Sequence, residues 1–227
     1  MELPFRIKFS LSRKLSGYEL PAISKWQNVR ANYKNRMNEK EIQNIFQPII
    51  QQFVWGAKQG YGSFLSLEFG NPKTELGAIH KPSEKGKFPF NEFEHRNVSI
   101  KGDFTFFISM SNWKIYADKT ELAYDESERD EIEFALGFIN GQKLMSVIID
   151  PQKNFTELEF DLGGSIKISN ENYDYDINEM WDFYIESDNV LTYRNDRKIS
   201  FGKVETELGN EKFTKINGKI TCPNTRL

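Results

Sequence analysis

Apolar and polar residues alternate along much of the chain, and apolar residues fall at helical spacing in only two places. Phe53, Trp55 and Ala57 share one face of a predicted strand, and Leu65, Leu67 and Phe69 share one face of the next. A three-residue loop at Gly60-Tyr61-Gly62 sets Ala57 opposite Leu65, Trp55 opposite Leu67 and Phe53 opposite Phe69, so apolar side chains meet on one face. Phe104, Phe106, Ile108 and Met110 line a further strand. A turn at Ser111-Asn112 predicts a second hairpin, with Met110 opposite Trp113 and Ile108 opposite Ile115. Between these hairpins, the 26 residues 71–96 hold Pro72, Pro82, Pro89 and several Gly and Lys, and read as a long, functional or mobile loop. FTELEFDLGGSIKIS predicts a third hairpin, with Leu158, Phe160 and Leu162 on one face and Glu157, Glu159 and Asp161 on the other. A loop at 163–165 pairs Leu162 with Ile166, Phe160 with Ile168 and Asp161 with Lys167. MWDFYIE, VLTYR and KISF alternate around turns at Asp188-Asn189 and Asn195-Asp196, and FRIKFS near the start reads as one more strand.

The two helical stretches carry their own start signals. Asn38 is the expected N-cap of a helix over 38–47, with Glu39 and Glu41 in its first turn and Ile42, Ile45, Phe46 and Ile49 at helical spacing. Pro48 limits it, because the proline ring obstructs continuation past the preceding turn. Ser127, three residues before Asp130, resembles a capping box; Ile132, Ala135, Leu136 and Ile139 follow, and Asn140-Gly141 ends the helix before a strand at Leu144–Ile149. About ten short strands, mostly joined by hairpin loops, and two helices define an α+β fold. Its centre is a large, twisted, mainly antiparallel sheet with a tendency to curl toward a barrel. No pattern assigns the last 20 residues. The expected organisation is a basic N-terminal segment, 1–37, followed by one α+β domain, 38–227.

Composition narrows the function classes. With 28% charged and 38% apolar residues, the chain reads as soluble and globular. No apolar run approaches the roughly 18 residues that a spanning helix needs. MELPFRIKFSLSRK lacks the apolar core of a secretory signal, which predicts a cytoplasmic protein. A single cysteine, Cys222, excludes an internal disulfide framework and a cysteine-rich zinc site. The net charge of −3 conceals an asymmetry: residues 1–40 hold nine Lys/Arg against three Asp/Glu, +6, so the remainder sums to −9. Residues 155–188 contain ten carboxylates against one lysine, Lys167, a field that repels nucleic acid and attracts basic partners.

Residues that could carry chemistry are few. The glycines of Gly56-Ala57-Lys58-Gln59-Gly60-Tyr61-Gly62 match neither a dinucleotide fingerprint nor a P-loop, and a strand follows them where a phosphate site needs a helix N-terminus. His80 and His95 lie in or beside the long loop; Glu92, Glu94 and His95 lack the spacing and thiolates of a structural metal site. No G-x-S-x-G occurs. Glu157, Glu159 and Asp161 form a period-two acidic stripe, as expected of a solvated strand face. In the basic stretch KWQNVRANYKNRMNEK, Lys25, Arg30, Lys34 and Arg36 with Trp26 form a candidate nucleic-acid surface.

GYGSFLSLEFG, INGQKLMSVIIDP, FTELEFDLGGSIKI and VLTYRND together resemble a family of uncharacterised bacterial cytoplasmic domains, themselves similar to immunity-type proteins of toxin or defence loci. The resemblance covers roughly residues 45–200 and consists of turn and core-strand motifs, so it implies a fold and no catalytic residue. It implies a non-enzymatic protein that docks a basic partner, such as a toxin, without cofactor or metal. The expected docking face is Glu157, Glu159, Asp161, Asp174, Asp176, Glu179 and Asp182. Two rival expectations come from other classes. One is a nucleic-acid-associated accessory subunit of a defence complex, using the basic N-terminal segment. The other is an enzyme with a pocket near Glu68, Glu94, His95 and Arg96.

Overall fold

The computed structural model describes residues 37–80, 93–170, 177–186, 188–204 and 211–223. The chain divides into two units, Met1–Lys34 and Asn35–Leu227, and all the described residues belong to the second. The FRIKFS strand lies outside the described residues.

Helix α1, Glu39–Phe46, forms as its signals predict. The Glu41 N–H donates to Asn38 Oδ1 at 3.0 Å, and the Asn38 N–H donates to Glu41 Oε2 at 2.9 Å, a complete capping box. At Pro48 the helix tightens into a 3-10 turn, Gln47–Ile49. Helix α2, Arg129–Ile139, starts differently from the capping-box expectation. Glu128 is its N-cap and makes no side-chain cap bond, while the Ser127 hydroxyl accepts the N–H of Tyr124 at 3.1 Å. The buried stripe is the expected one, Ile132, Ala135, Leu136 and Ile139.

The strands form large antiparallel sheets, so the α+β class holds; among the described residues there are fifteen strands rather than about ten, and no closed barrel. A seven-stranded sheet runs in the order β1 (Trp55–Gln59), β2 (Leu65–Phe69), β5 (Phe104–Ile108), β11 (Glu179–Ile185), β12 (Asn189–Arg194), β13 (Lys198–Lys203), β14 (Thr214–Lys215). A six-stranded sheet runs β15 (Ile220–Pro223), β8 (Leu144–Asp150), β9 (Phe155–Phe160), β10 (Gly164–Ser169), β6 (Asn112–Ala117), β7 (Thr120–Tyr124). The remaining two strands, β3 (Lys73–His80) and β4 (His95–Lys101), form a separate ribbon, and among the described residues they pair only with each other. One apolar core takes side chains from both large sheets and both helices. Phe46 of α1 stacks on Phe183 at 5.0 Å, and the Trp181 indole of the seven-stranded sheet donates to Thr156 Oγ1 of the six-stranded sheet at 3.0 Å.

Three register expectations change. The first hairpin exists, but its loop runs from Gly60 to Phe64, and Gln59 pairs with Leu65, Lys58 with Ser66 and Trp55 with Glu68. A bulge at Gly56, with φ of +61°, absorbs the extra residue; this left-handed conformation suits glycine. The second hairpin does not form, because β5 and β6 belong to different sheets. The chain crosses between them at Ser109–Ser111, held by the Ser109 N–H and the Ser111 hydroxyl, both donating to the Met180 carbonyl at 3.1 Å. Ile108 and Trp113 still reach one core, from opposite sheets. The third hairpin forms with its three-residue loop two positions earlier, at 161–163. Ile166 therefore pairs with Leu158 and Lys167 with Glu157, and Leu162 sits exposed at the tip. The shift is even, so each side chain keeps its predicted face. In the segment expected to be a loop, 71–96, residues 73–80 and 95–96 belong to the ribbon β3–β4, and 81–92 lie outside the described residues.

Candidate functional site

The ribbon β3–β4 starts from a fixed base. Where β2 leaves the sheet, Asp103 Oδ2 accepts the backbone N–H and the side-chain amide of Asn71, each at 2.9 Å, and Lys73 Nζ lies 2.5 Å from Asp103 Oδ1. Trp55 Nε1 donates to the Gly70 carbonyl at 2.9 Å. At the return strand, Glu68, only 1% exposed, accepts the Gly102 N–H at 2.9 Å and the Thr105 hydroxyl at 2.6 Å, with Lys101 Nζ at 3.5 Å. Two carboxylates thus clamp the two ends of the ribbon to the seven-stranded sheet.

Beyond this base the ribbon has two unlike faces. Thr74 pairs with Ile100, Leu76 with Val98 and Ile79 with Arg96, so these side chains share one face, while His80 pairs with His95 on the other beside Asn97. Four aliphatic residues on the first face stand in solvent: Leu76 is 69% exposed, Ile79 50%, Val98 63% and Ile100 56%. Scattered exposed aliphatics need no account, but four contiguous ones on one ribbon face mark an interaction surface. An isolated two-stranded ribbon is marginally stable in water, which strengthens the case for a partner on that face.

Burial opposes ionisation of Asp103, but hydrogen bonds from Lys73 and Asn71 outweigh it and hold its carboxyl below the usual carboxylate range. A depressed folded-state pKa means that the clamp stabilises above the unfolded-state value and is lost as pH falls through the folded one. We expect hydrogen-exchange protection across 73–80 and 95–101 to hold from neutral pH down to about pH 4, the unfolded-state range of an aspartate, and to fall as the pH drops below it, before the sheets open. Asp103→Asn should flatten that dependence, and an unchanged profile in this variant would place the acid sensitivity elsewhere.

The acidic residues singled out by sequence do not gather on one face among the described residues. Glu157 and Glu159 lie on β9 and Asp161 in the loop after it, whereas Glu179 and Asp182 lie on β11 of the other sheet. Asp182 is buried and accepts the Thr192 hydroxyl at 2.6 Å, which removes it from any exposed docking face. Asp174 and Asp176 lie outside the described residues, as do Lys25, Trp26, Arg30, Lys34 and Arg36. Glu159 accepts the Ser146 hydroxyl, and Asp161 accepts the Lys143 N–H at 2.8 Å. Glu157 borders a groove of about 470 Å³ with Asp150, Phe155, Lys153, Lys167 and Lys219. Burial raises the Glu157 pKa against the pull of Lys167.

The proposed enzyme cluster is not assembled. His95 and Arg96, as strand neighbours, project from opposite faces of the ribbon, and Glu68 is committed to the clamp. Cys222 is buried, which pushes its thiol up to about 12 and keeps it protonated at neutral pH. Among the described residues, no three His, Cys, Asp or Glu side chains are placed to hold a metal, and no helix is long and apolar enough to cross a membrane.

Sequence reasoning missed the ribbon. Its signal was present in the alternation of KTEL and NVSIK, but the prolines and glycines around it favoured a loop reading. Fold and site together define an antiparallel α+β protein that presents an amphipathic β-ribbon. The chain matches no family model, no curated protein and no solved structure.

Proposed function

We propose that this protein works by binding another protein, with the β3–β4 ribbon as its principal docking element and a basic protein as its partner. The observation that carries this is the row of four exposed aliphatic side chains on a ribbon clamped at its base. Apolar contact with that face supplies affinity, and the strand edges that no described residue pairs with offer main-chain pairing. The charge of −9 outside residues 1–40 favours a basic partner, and Glu159 and Asp161 are the exposed members of the acidic set among the described residues, placed to contribute to encounter. The narrower reading, a non-enzymatic immunity-type protein that occupies a basic toxin, rests on the sequence resemblance and belongs to this proposal.

A photo-cross-linking residue placed at Leu76 or Val98 in native cells should trap a basic protein. The same residue at Phe134, exposed on α2, should not. Leu76→Asp with Val98→Asp should abolish binding of the trapped partner, purified, while leaving the melting temperature within a few degrees. Equal trapping at Phe134, or binding that survives both substitutions, would refute the ribbon as the docking element.

A further inference from the structure

The chain contains two histidines in 227 residues, and the fold places them directly opposite one another. His80, the last residue of β3, pairs with His95, the first of β4, and their rings stack with centroids 5.1 Å apart and planes 20° from parallel. This pair lies on the ribbon face opposite Leu76 and Val98, so it is independent of the apolar docking surface and of the protein-binding reading.

The bonds around the pair fix which nitrogens are available. His95 Nδ1 lies 3.1 Å from the Phe93 carbonyl, and a carbonyl only accepts, so Nδ1 carries the proton and Nε2 keeps its lone pair. A histidine held by an Nδ1–H···O=C bond with Nε2 open is the arrangement in which imidazole ligates metals. His80 Nε2 lies 3.3 Å from the side-chain amide nitrogen of Asn97, a donor, which makes this Nε2 an acceptor too. His95 Nε2 is therefore the open ligating nitrogen, while the His80 Nε2 lone pair is held by the Asn97 amide and becomes available when an ion displaces that single exposed hydrogen bond, on strands that the ladder holds in register. Imidazole pairs suit zinc, copper and nickel over calcium or magnesium. Nitrogen–metal distances of about 2.0–2.1 Å set two ligating Nε2 atoms roughly 3.4 Å apart, so both rings must turn out of their near-parallel stack for their in-plane lone pairs to face one ion.

We propose that His80 and His95 form a bidentate site for a divalent transition-metal ion, with water or a partner's side chain completing the coordination. The ion would staple the far ends of β3 and β4, at His80 and His95. Loop closure removes conformational freedom from the ribbon, so metal binding stiffens the element that the clamp of Glu68 and Asp103 holds at its base.

The test uses the full chain without a histidine tag, titrated with zinc chloride and nickel chloride alone by calorimetry at pH 7.5. We expect saturable binding of one ion per chain. Either His80→Ala or His95→Ala should weaken it by about tenfold or more, because each removes one arm of a chelate. Both positions lie on the ribbon away from the core, so both variants should fold, and circular dichroism checks this. Hydrogen-exchange protection across 73–80 and 95–101 should rise with metal in the parent chain and not in the variants. Absence of saturable binding, or binding of equal strength in both variants, overturns the proposal. Neither result bears on cross-linking at Leu76, so failure here is distinguishable from failure of the docking ribbon.

Discussion

Trp181→Ala is expected to cost about 4 kcal/mol of folding stability, the range measured when large aromatic residues are removed from a packed core. Trp181 is completely buried and packs against Phe106 at 5.1 Å, Tyr193 at 5.4 Å and Phe46 at 5.9 Å, so it touches its own sheet and helix α1. Its indole N–H also reaches Thr156 across the core, and truncation leaves that buried hydroxyl without its donor. For a chain of this size about 4 kcal/mol corresponds to a fall of roughly 8–16 °C in melting temperature. Trp181→Phe keeps most of the packing and loses the bond between the sheets, so its cost should be smaller, about 1–3 kcal/mol. Urea titration should show a lower midpoint with an unchanged slope for both variants. A melting temperature for Trp181→Ala within about 2 °C of the parent would mean that the two sheets do not share one core.

Most of what the sequence revealed was side-chain parity, and most of what it concealed was pairing. Parity follows from a period of two along the strand, so Leu158 and Phe160 point inward and Glu157 and Glu159 outward in either register of the third hairpin. Pairing depends on which strands meet, and local alternation does not encode that. Phe104–Ile108 and Trp113–Ile115 look like a hairpin because both have core faces, yet those faces come from opposite sheets and meet across the core. The signal for the crossover lies in Ser109 and Ser111, whose bonds to the distant Met180 carbonyl no local pattern reveals. Asp182 shows the reverse failure. By alternation it belongs to a polar outer face, but it pairs with Phe107 and Thr192 in the middle strands of the sheet and is buried with a hydrogen-bond partner. An acidic residue in an alternating strand marks the side of the sheet, not its exposure.

The same distinction makes Glu68, a catalytic candidate by residue type, the anchor of the ribbon instead. A carboxylate on a central strand with both faces buried needs partners, and Glu68 finds them in Gly102, Thr105 and Lys101 at the point where β4 hands over to β5. Gly102 is suited to this approach, since a Cβ there would collide with the Phe69 backbone beside it. Glu68→Ala is therefore expected to cost about 3 kcal/mol, because it strands a buried N–H and a part-buried hydroxyl and leaves the part-exposed Lys101 without its counter-charge. Glu68→Gln keeps an acceptor for Gly102 or Thr105 and loses the charge, so its cost should be intermediate. The two outcomes separate anchoring from simple core damage through the ribbon itself. In Glu68→Ala, exchange protection across 95–101 should collapse further than that of β9 or β12, and binding of a partner trapped at Leu76 should weaken along with it. Trp181→Ala, matched for global stability loss, should leave the ratio between ribbon and sheet protection unchanged. If both variants lowered ribbon and sheet protection in equal proportion, Glu68 would be one more core contact and the ribbon's orientation would have to be set by Asp103 and Lys73 alone.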